Sequence, residues 1–243
     1  IFSITKYGAD SISIRVGSSS PTRGVGKQYS RSHTGGVGSG SLSITARNTI
    51  ERRNLTERGM SLLLAGGCAE QPRYEVGDYQ MPRTLLAQRQ AFRLGLEFAL
   101  AGYPVVSGMA FGIDRAAHEG ALSAFGQTWA VLAGGLDRPG PRGHRKLAAR
   151  ILDRGGALIG EIPPGCFPAK YAFPRRNRIL SGLCRGCVVV QAPARSGALI
   201  TADFALDQNR DLYVASSGLK GAASDGTRNL ETQGAPVVES AAD

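Results

Sequence analysis

Three guanidinium side chains and one carboxamide crowd into the hexapeptide FPRRNR at 173–178, where Arg175, Arg176, Asn177 and Arg178 follow Phe173 and a proline with no carboxylate among them. The segment leads into the helix-forming run NRILSGL. Guanidinium groups offer planar forks of N–H donors that match phosphate oxygens, and the unpaired N–H groups at a helix start add positive potential. The chemistry suited to this pattern is the holding of an anion, and repeated cations suit a polyanion. Asn177 reads as the N-cap of that helix or as an amide donor to the ligand. Phe173 reads as packing beneath the loop or as a wedge against a base. Glu161 is the carboxylate that could neutralise one of these cations, Arg178 first.

Four glycine turns follow short apolar runs: VGSSSPT at 16–22, VSGMAFGID at 106–114, LAGGLD at 132–137 and APARSG at 192–197. Glycine allows a tight turn and close approach of backbone to an anion. Gly17, Ser18, Ser19, Gly108, Gly112, Gly134 and Gly135 are therefore candidate phosphate-binding positions, as are Ser196, Gly197 and Thr201 at the last turn and the helix after it. Asp114 and His118 stand four apart on a predicted helix, the beginning of an acid/base pair. No nucleophile or metal set completes it, and a helix-start carboxylate with a packed imidazole explains the same spacing. No catalytic residue, metal or cofactor is assigned. GVGK at 24–27 fails as a phosphate loop because Pro21 and Gln28 stand where glycine and Ser or Thr are required. Among the cysteines only Cys184 and Cys187 are close, and in LCRGCVVVQ they read as small apolar residues where a helix end runs into a buried strand.

The elements that must carry these turns alternate. LLAQRQAFRLGLEFALAG reads as a helix with Leu85, Phe92, Leu96 and Ala99 on its inner face and Gly102 as its C-terminal cap. PVVSG, TWAVLAGG, ALIGE, CVVVQA and DLYVAS read as buried strands, with helical segments between them. Strands apolar on both faces predict an α/β fold: an extended Rossmann-like, mostly parallel sheet with helices on both faces and ligands beyond the strands' carboxyl ends. One such domain over 1–243 is expected. Residues 21–82 form a divergent or partly flexible insertion, in which 41–45 and 60–66 could be strand or helix. The formal charge of +10 over 243 residues fits a nucleic-acid partner. With no membrane-length apolar run and no secretory signal, a cytoplasmic protein is expected.

Taken together, VGSSSPT, VVSGMAFGIDRAAHEGAL, AVLAGGLD, GEIPPG, FPRRNRILSGL and SGALITADFAL resemble the DNA-processing protein A family, also called Smf. The likeness covers nearly all of 104–218 and a short piece near residue 16. It implies an extended Rossmann domain that dimerises, binds single-stranded DNA in a positive pocket and has no known catalytic reaction. In that family the DNA is protected during natural transformation and delivered to a RecA-type recombinase. The chain departs from the family pattern at Ser19, where an arginine is usual, and at Gly140 and His144, which stand where Pro and Asn are usual. Arg23, Arg138, Arg142 and Arg145 are basic residues that could replace the missing charge.

The expected function is therefore single-strand binding through backbone phosphates, with little base selectivity. Two alternatives stand beside it: a nucleotide-binding enzyme such as a nucleoside-monophosphate phosphoribohydrolase, with Glu161 as its candidate acid, and a scaffold that keeps the fold without binding DNA.

Overall fold

The computed structural model describes the backbone of residues 2–7, 11–16, 41–45, 62–66 and 83–243, with side chains from Leu85 onward. Ten strands form one sheet: β1 (Phe2–Tyr7), β2 (Ser11–Val16), β3 (Ser41–Thr45), β4 (Leu62–Gly66), β5 (Val105–Ser107), β6 (Thr128–Leu132), β7 (Ala157–Gly160), β8 (Gly186–Gln191), β9 (Asp211–Ala215) and β10 (Val237–Val238). Their order is β1-β2-β3-β7-β6-β5-β4-β8-β9-β10. From β7 to β10 every neighbour pair is parallel, while β1, β2 and β3 extend the β7 edge as antiparallel strands. The segments 41–45 and 62–66 are thus both strands.

The helices are α1 (Arg83–Leu100), α2 (Ile113–Ser123), α3 (Arg145–Asp153), α4 (Ala172–Gly182), α5 (Gly197–Asp207) and α6 (Asp225–Thr232). The chain runs β4, β5, β6, β7 outward, then returns to lay β8 against the other side of β4 and continues to β10. Such a reversal opens a crevice beyond the strands' carboxyl ends.

Burial explains the apolar strands. Val105, Val188 and Val190 face the α1 and α2 side, whereas Val106, Trp129, Val131, Ile159 and Val189 face α4 and α5. Ala130, Leu132 and Leu158 pack on α3. Alternate residues of one strand thus enter opposite cores, and burying each large side chain contributes about 1.5–3 kcal/mol. Among the described residues, no helix is long and apolar enough to cross a membrane.

Helix α1 corrects one expectation. Leu85 and Phe92 are exposed, and its inner stripe is Ala87, Gln90, Ala91 and Leu94. The reason is the close crossing of α1 and α2: a Cβ on Gly95 would stand 2.4 Å from the Ala117 carbonyl oxygen, and one on Gly120 would stand 2.1 Å from that of Phe92. Small residues bring the two backbones together and leave Leu85, Leu86 and Phe92 outward. Gly102, at φ +85°, ends the helix as expected.

Candidate functional site

Over the carboxyl ends of β5 and β6 lies a cleft of about 290 Å³, walled by Gly108 and Phe111 after β5, Gly134 and Gly135 after β6, and Phe173 and Arg176 from α4. Turns far apart in sequence meet there with the arginine-rich segment. The glycines serve close packing. A Cβ on Gly108 would lie 2.4 Å from Arg176 Nη1, and one on Gly135 would lie 2.8 Å from the Pro163 carbonyl oxygen. Gly135 also donates its N–H to the Cys166 carbonyl at 3.1 Å, so this amide is committed within the fold. Gly112, at φ +87°, is the left-handed residue before α2.

The arginine segment is not a loop followed by a helix. Helix α4 begins at Ala172, so Phe173 and Pro174 occupy its first turn, where proline's fixed φ and missing N–H are tolerated. Asn177 is therefore inside the helix and does not cap it. Its Nδ2 donates to the Gly197 carbonyl at 3.1 Å and its Oδ1 accepts from Arg176 Nε at 3.2 Å, tying α4 to the start of α5.

The three cations separate into two roles. Arg176 is buried, and its guanidinium donates to the Gly108 carbonyl at 2.8 Å and to that of Val131. It also lies in the field of buried Asp114, whose carboxylate accepts the Ala110 N–H at 3.0 Å. Burial raises the Asp114 carboxyl above its ordinary range, against the pull of Arg176 and the hydrogen bonds from Ala110, Ser107 and Gly108. Arg176 thus fixes the turns after β5 and β6 to α4. Arg175 and Arg178 are exposed and share one carboxylate, Glu161, with Arg175 Nε at 3.6 Å from it. Two guanidiniums on one carboxylate leave a net positive charge on this face of α4.

The remaining candidates lie elsewhere. Ser196 caps α5 by accepting the Ala198 N–H at 3.2 Å, and Thr201 is buried, donating to the Gly197 carbonyl. Gly197 accepts from both Thr201 and Asn177, so this turn braces α4 rather than walling the cleft. Gly17, Ser18, Ser19 and Arg23 lie outside the described residues. The strand before them, β2, is second from the sheet edge, with β3, β7 and β6 between it and β5, and the strand next before α1 in the chain is β4.

His118 is fully buried, 2.7 Å from the Thr128 hydroxyl through Nδ1. Thr128 spends its only proton on the Val105 carbonyl, so Nδ1 carries the imidazole proton, and among the described residues Nε2 has no partner. Burial first, then the positive fields of His144 and Arg176, push His118 down to about 3. A neutral, enclosed imidazole facing a threonine is a packing device, and Asp114 faces a backbone amide instead. Cys184 and Cys187 are buried, and burial pushes the Cys187 thiol up to about 12. Both pairs match the structural reading of their spacing.

Sequence reasoning named Phe173 as a wedge against a base but missed Phe111, which lines the cleft beside it, and Phe167 and Tyr171, which precede it in the chain. Phe111 is 41% exposed, Phe173 49%, Phe167 69% and Tyr171 71%, well beyond what core packing leaves open. Arg138, a residue of the cleft wall, lies 5.1 Å over the Phe167 ring. The signal was present in PPGCFPAKYAFP, where aromatics sit among prolines without helical or strand periodicity. Exposed aromatic faces beside cations can stack bases and hold phosphates.

Residues 83–243 match the family model described as DNA recombination-mediator protein A. The chain is 46% identical over 140 residues to the protein Smf of Escherichia coli (strain K12), a match covering 58% of this chain and 37% of that protein. It superposes on the X-ray structure of DNA processing protein A from Streptococcus pneumoniae with a TM-score of 0.65 and 32% identity, covering 82% of this chain and 63% of that one. The Helicobacter pylori DNA processing protein A, solved for its single-stranded DNA binding mode, shares the fold at a TM-score of 0.65 and 24% identity, covering 81% of each chain. The chain therefore belongs to the DNA recombination-mediator protein A family.

Proposed function

We propose that this chain binds single-stranded DNA across the cleft over β5 and β6 and acts as a non-catalytic mediator of recombination. The observation that carries the reading is the meeting of Gly108, Gly134, Gly135, Phe173 and Arg176 in one open cleft that the half-exposed Phe111 and Arg138 also line, with exposed Arg175 one residue before Arg176 on α4. Family membership supports it. Arg176 supplies the floor and its potential, while the exposed guanidiniums meet phosphate. Contacts to backbone charge and to ring faces read no base edge, so the selectivity is for a single strand rather than for a sequence. Delivery to a RecA-type recombinase, homodimerisation, a cytoplasmic setting and a single Rossmann-like domain over the whole chain belong to the same proposal, and they rest on the family resemblance and the continuous sheet.

Labelled poly-dT, duplex DNA and AMP, titrated over a salt series, test it. Poly-dT is expected to bind best and to weaken steeply with salt. Arg138→Ala and Arg175→Ala should each reduce the slope of log K against log salt by about 0.7, the value for one phosphate contact on a single strand. Saturable AMP binding with release of the base would instead establish a nucleotide hydrolase, and no strand binding at low salt would establish a scaffold.

A further inference from the structure

Helix α3 and the turn before it carry Arg142, Lys146, Arg150 and Arg154 at a constant spacing of four, all exposed. Lys146 and Arg150 stand one turn apart on α3, Arg142 lies in the short 3-10 turn before it and Arg154 caps its end, so the four cations form a ridge running the length of the element. Among the described residues, none of the four makes an ion pair with a carboxylate. Like charges at this spacing repel. The helix dipole favours Arg150 in the last turn of α3 and Arg154 at its cap, but the first turn holds Arg145 and Lys146 and no acid. At the start of α3 the local electrostatics thus oppose the helix, and anions there would reverse that.

Two further observations give the ridge direction. At its start it joins the cleft: Pro141 and Phe111 line the cleft, and the His144 ring packs edge-on against Phe111 at 4.4 Å between centroids. At its far end Arg154 lies 4.4 Å over the ring of Phe125, which is 73% exposed. Phe125 follows the end of α2 at φ +57°, a conformation that favours glycine, so an outward-facing aromatic is held there at a backbone cost.

We propose that a single strand leaving the cleft continues along α3, with successive phosphates on Arg142, Lys146, Arg150 and Arg154 and a base reaching Phe125. This extension rests on the strand-binding reading above. It makes affinity depend on strand length, because a short strand fills the cleft alone and a longer one also engages the ridge.

The test compares labelled oligo-dT of about 6 and about 20 nucleotides, sizes bracketing a typical single-strand site. The double variants Arg150→Glu/Arg154→Glu and Arg150→Gln/Arg154→Gln and the single variant Phe125→Ala are measured beside the unaltered chain, with thermal melts to establish folding. The longer strand is expected to show a salt slope steeper by about 3, from four added contacts. The charge-reversed variant should weaken it by at least about tenfold, the glutamine variant by less, and Phe125→Ala measurably, while short-strand binding stays within about twofold. Equal slopes for both lengths, or variants that weaken both equally or neither, would overturn the extension and leave the cleft reading intact. Failure of the unaltered chain to bind either length would overturn both.

Discussion

Replacing Arg176 by alanine is expected to lower the unfolding free energy by about 3–5 kcal/mol, the range for removing one member of a buried charged network. The loss has three sources. The carbonyls of Gly108 and Val131 lose their donor, Asp114 loses the positive field that compensates its burial, and Asn177 Oδ1 loses a partner. Each buried polar group left unpaired costs about 1–3 kcal/mol. Lysine should rescue only part, since one ammonium cannot reproduce the planar fork that reaches two carbonyls and a carboxamide at once. Denaturant unfolding of the two variants beside Arg175→Ala checks this. Arg175 is exposed and its substitution should leave the midpoint nearly unchanged while weakening DNA binding. Similar stability for Arg176→Ala and Arg175→Ala would show that Arg176 is not the bolt between α4 and the two turns.

The second large effect is an acid limb of stability set by His118. In the unfolded chain this imidazole takes up its proton near 6.5, whereas in the folded chain it does so only near about 3. Below 6.5 the unfolded state binds more protons, so the contribution is complete above that pH and drains as pH falls towards 3. The gap corresponds to about 4–5 kcal/mol. Asp114 acts in the opposite sense. Its folded carboxyl is raised, so its contribution is present at low pH and lost as pH rises through the folded value, offsetting part of the His118 limb. His118→Gln should flatten the dependence of unfolding free energy on pH between 6.5 and 3, measured by urea unfolding at several pH values. An unchanged slope in that variant would assign the limb to other groups.

Much of the sheet was legible because β5 to β8 are buried on both faces and β5 and β6 run into glycine turns, at Ser107-Gly108 and Ala133-Gly134. Three features were not. The inner face of α1 is Ala87, Gln90, Ala91 and Leu94 rather than the larger stripe because Gly95 and Gly120 let two backbones touch, a fact about a partner helix that a single-helix stripe cannot carry. The start of α4 was displaced because proline reads as a break, although Pro174 fits a first turn. The burial of Arg176 depends on carbonyls 68 and 45 positions away, and nothing local distinguishes it from its exposed neighbours Arg175 and Arg178. The hexapeptide was rightly drawn to the glycine turns, but its cations divide between building the cleft and facing out of it.

The account's central claim is tested most directly by hydrogen exchange of the chain with and without saturating oligo-dT. Protection is predicted in the backbone amides of 108–112, 133–138 and 171–176, which wall the cleft, with little change in α6 and the turn after β9. Protection confined to surfaces away from those three segments, with the cleft exchanging as in the free chain, would contradict it.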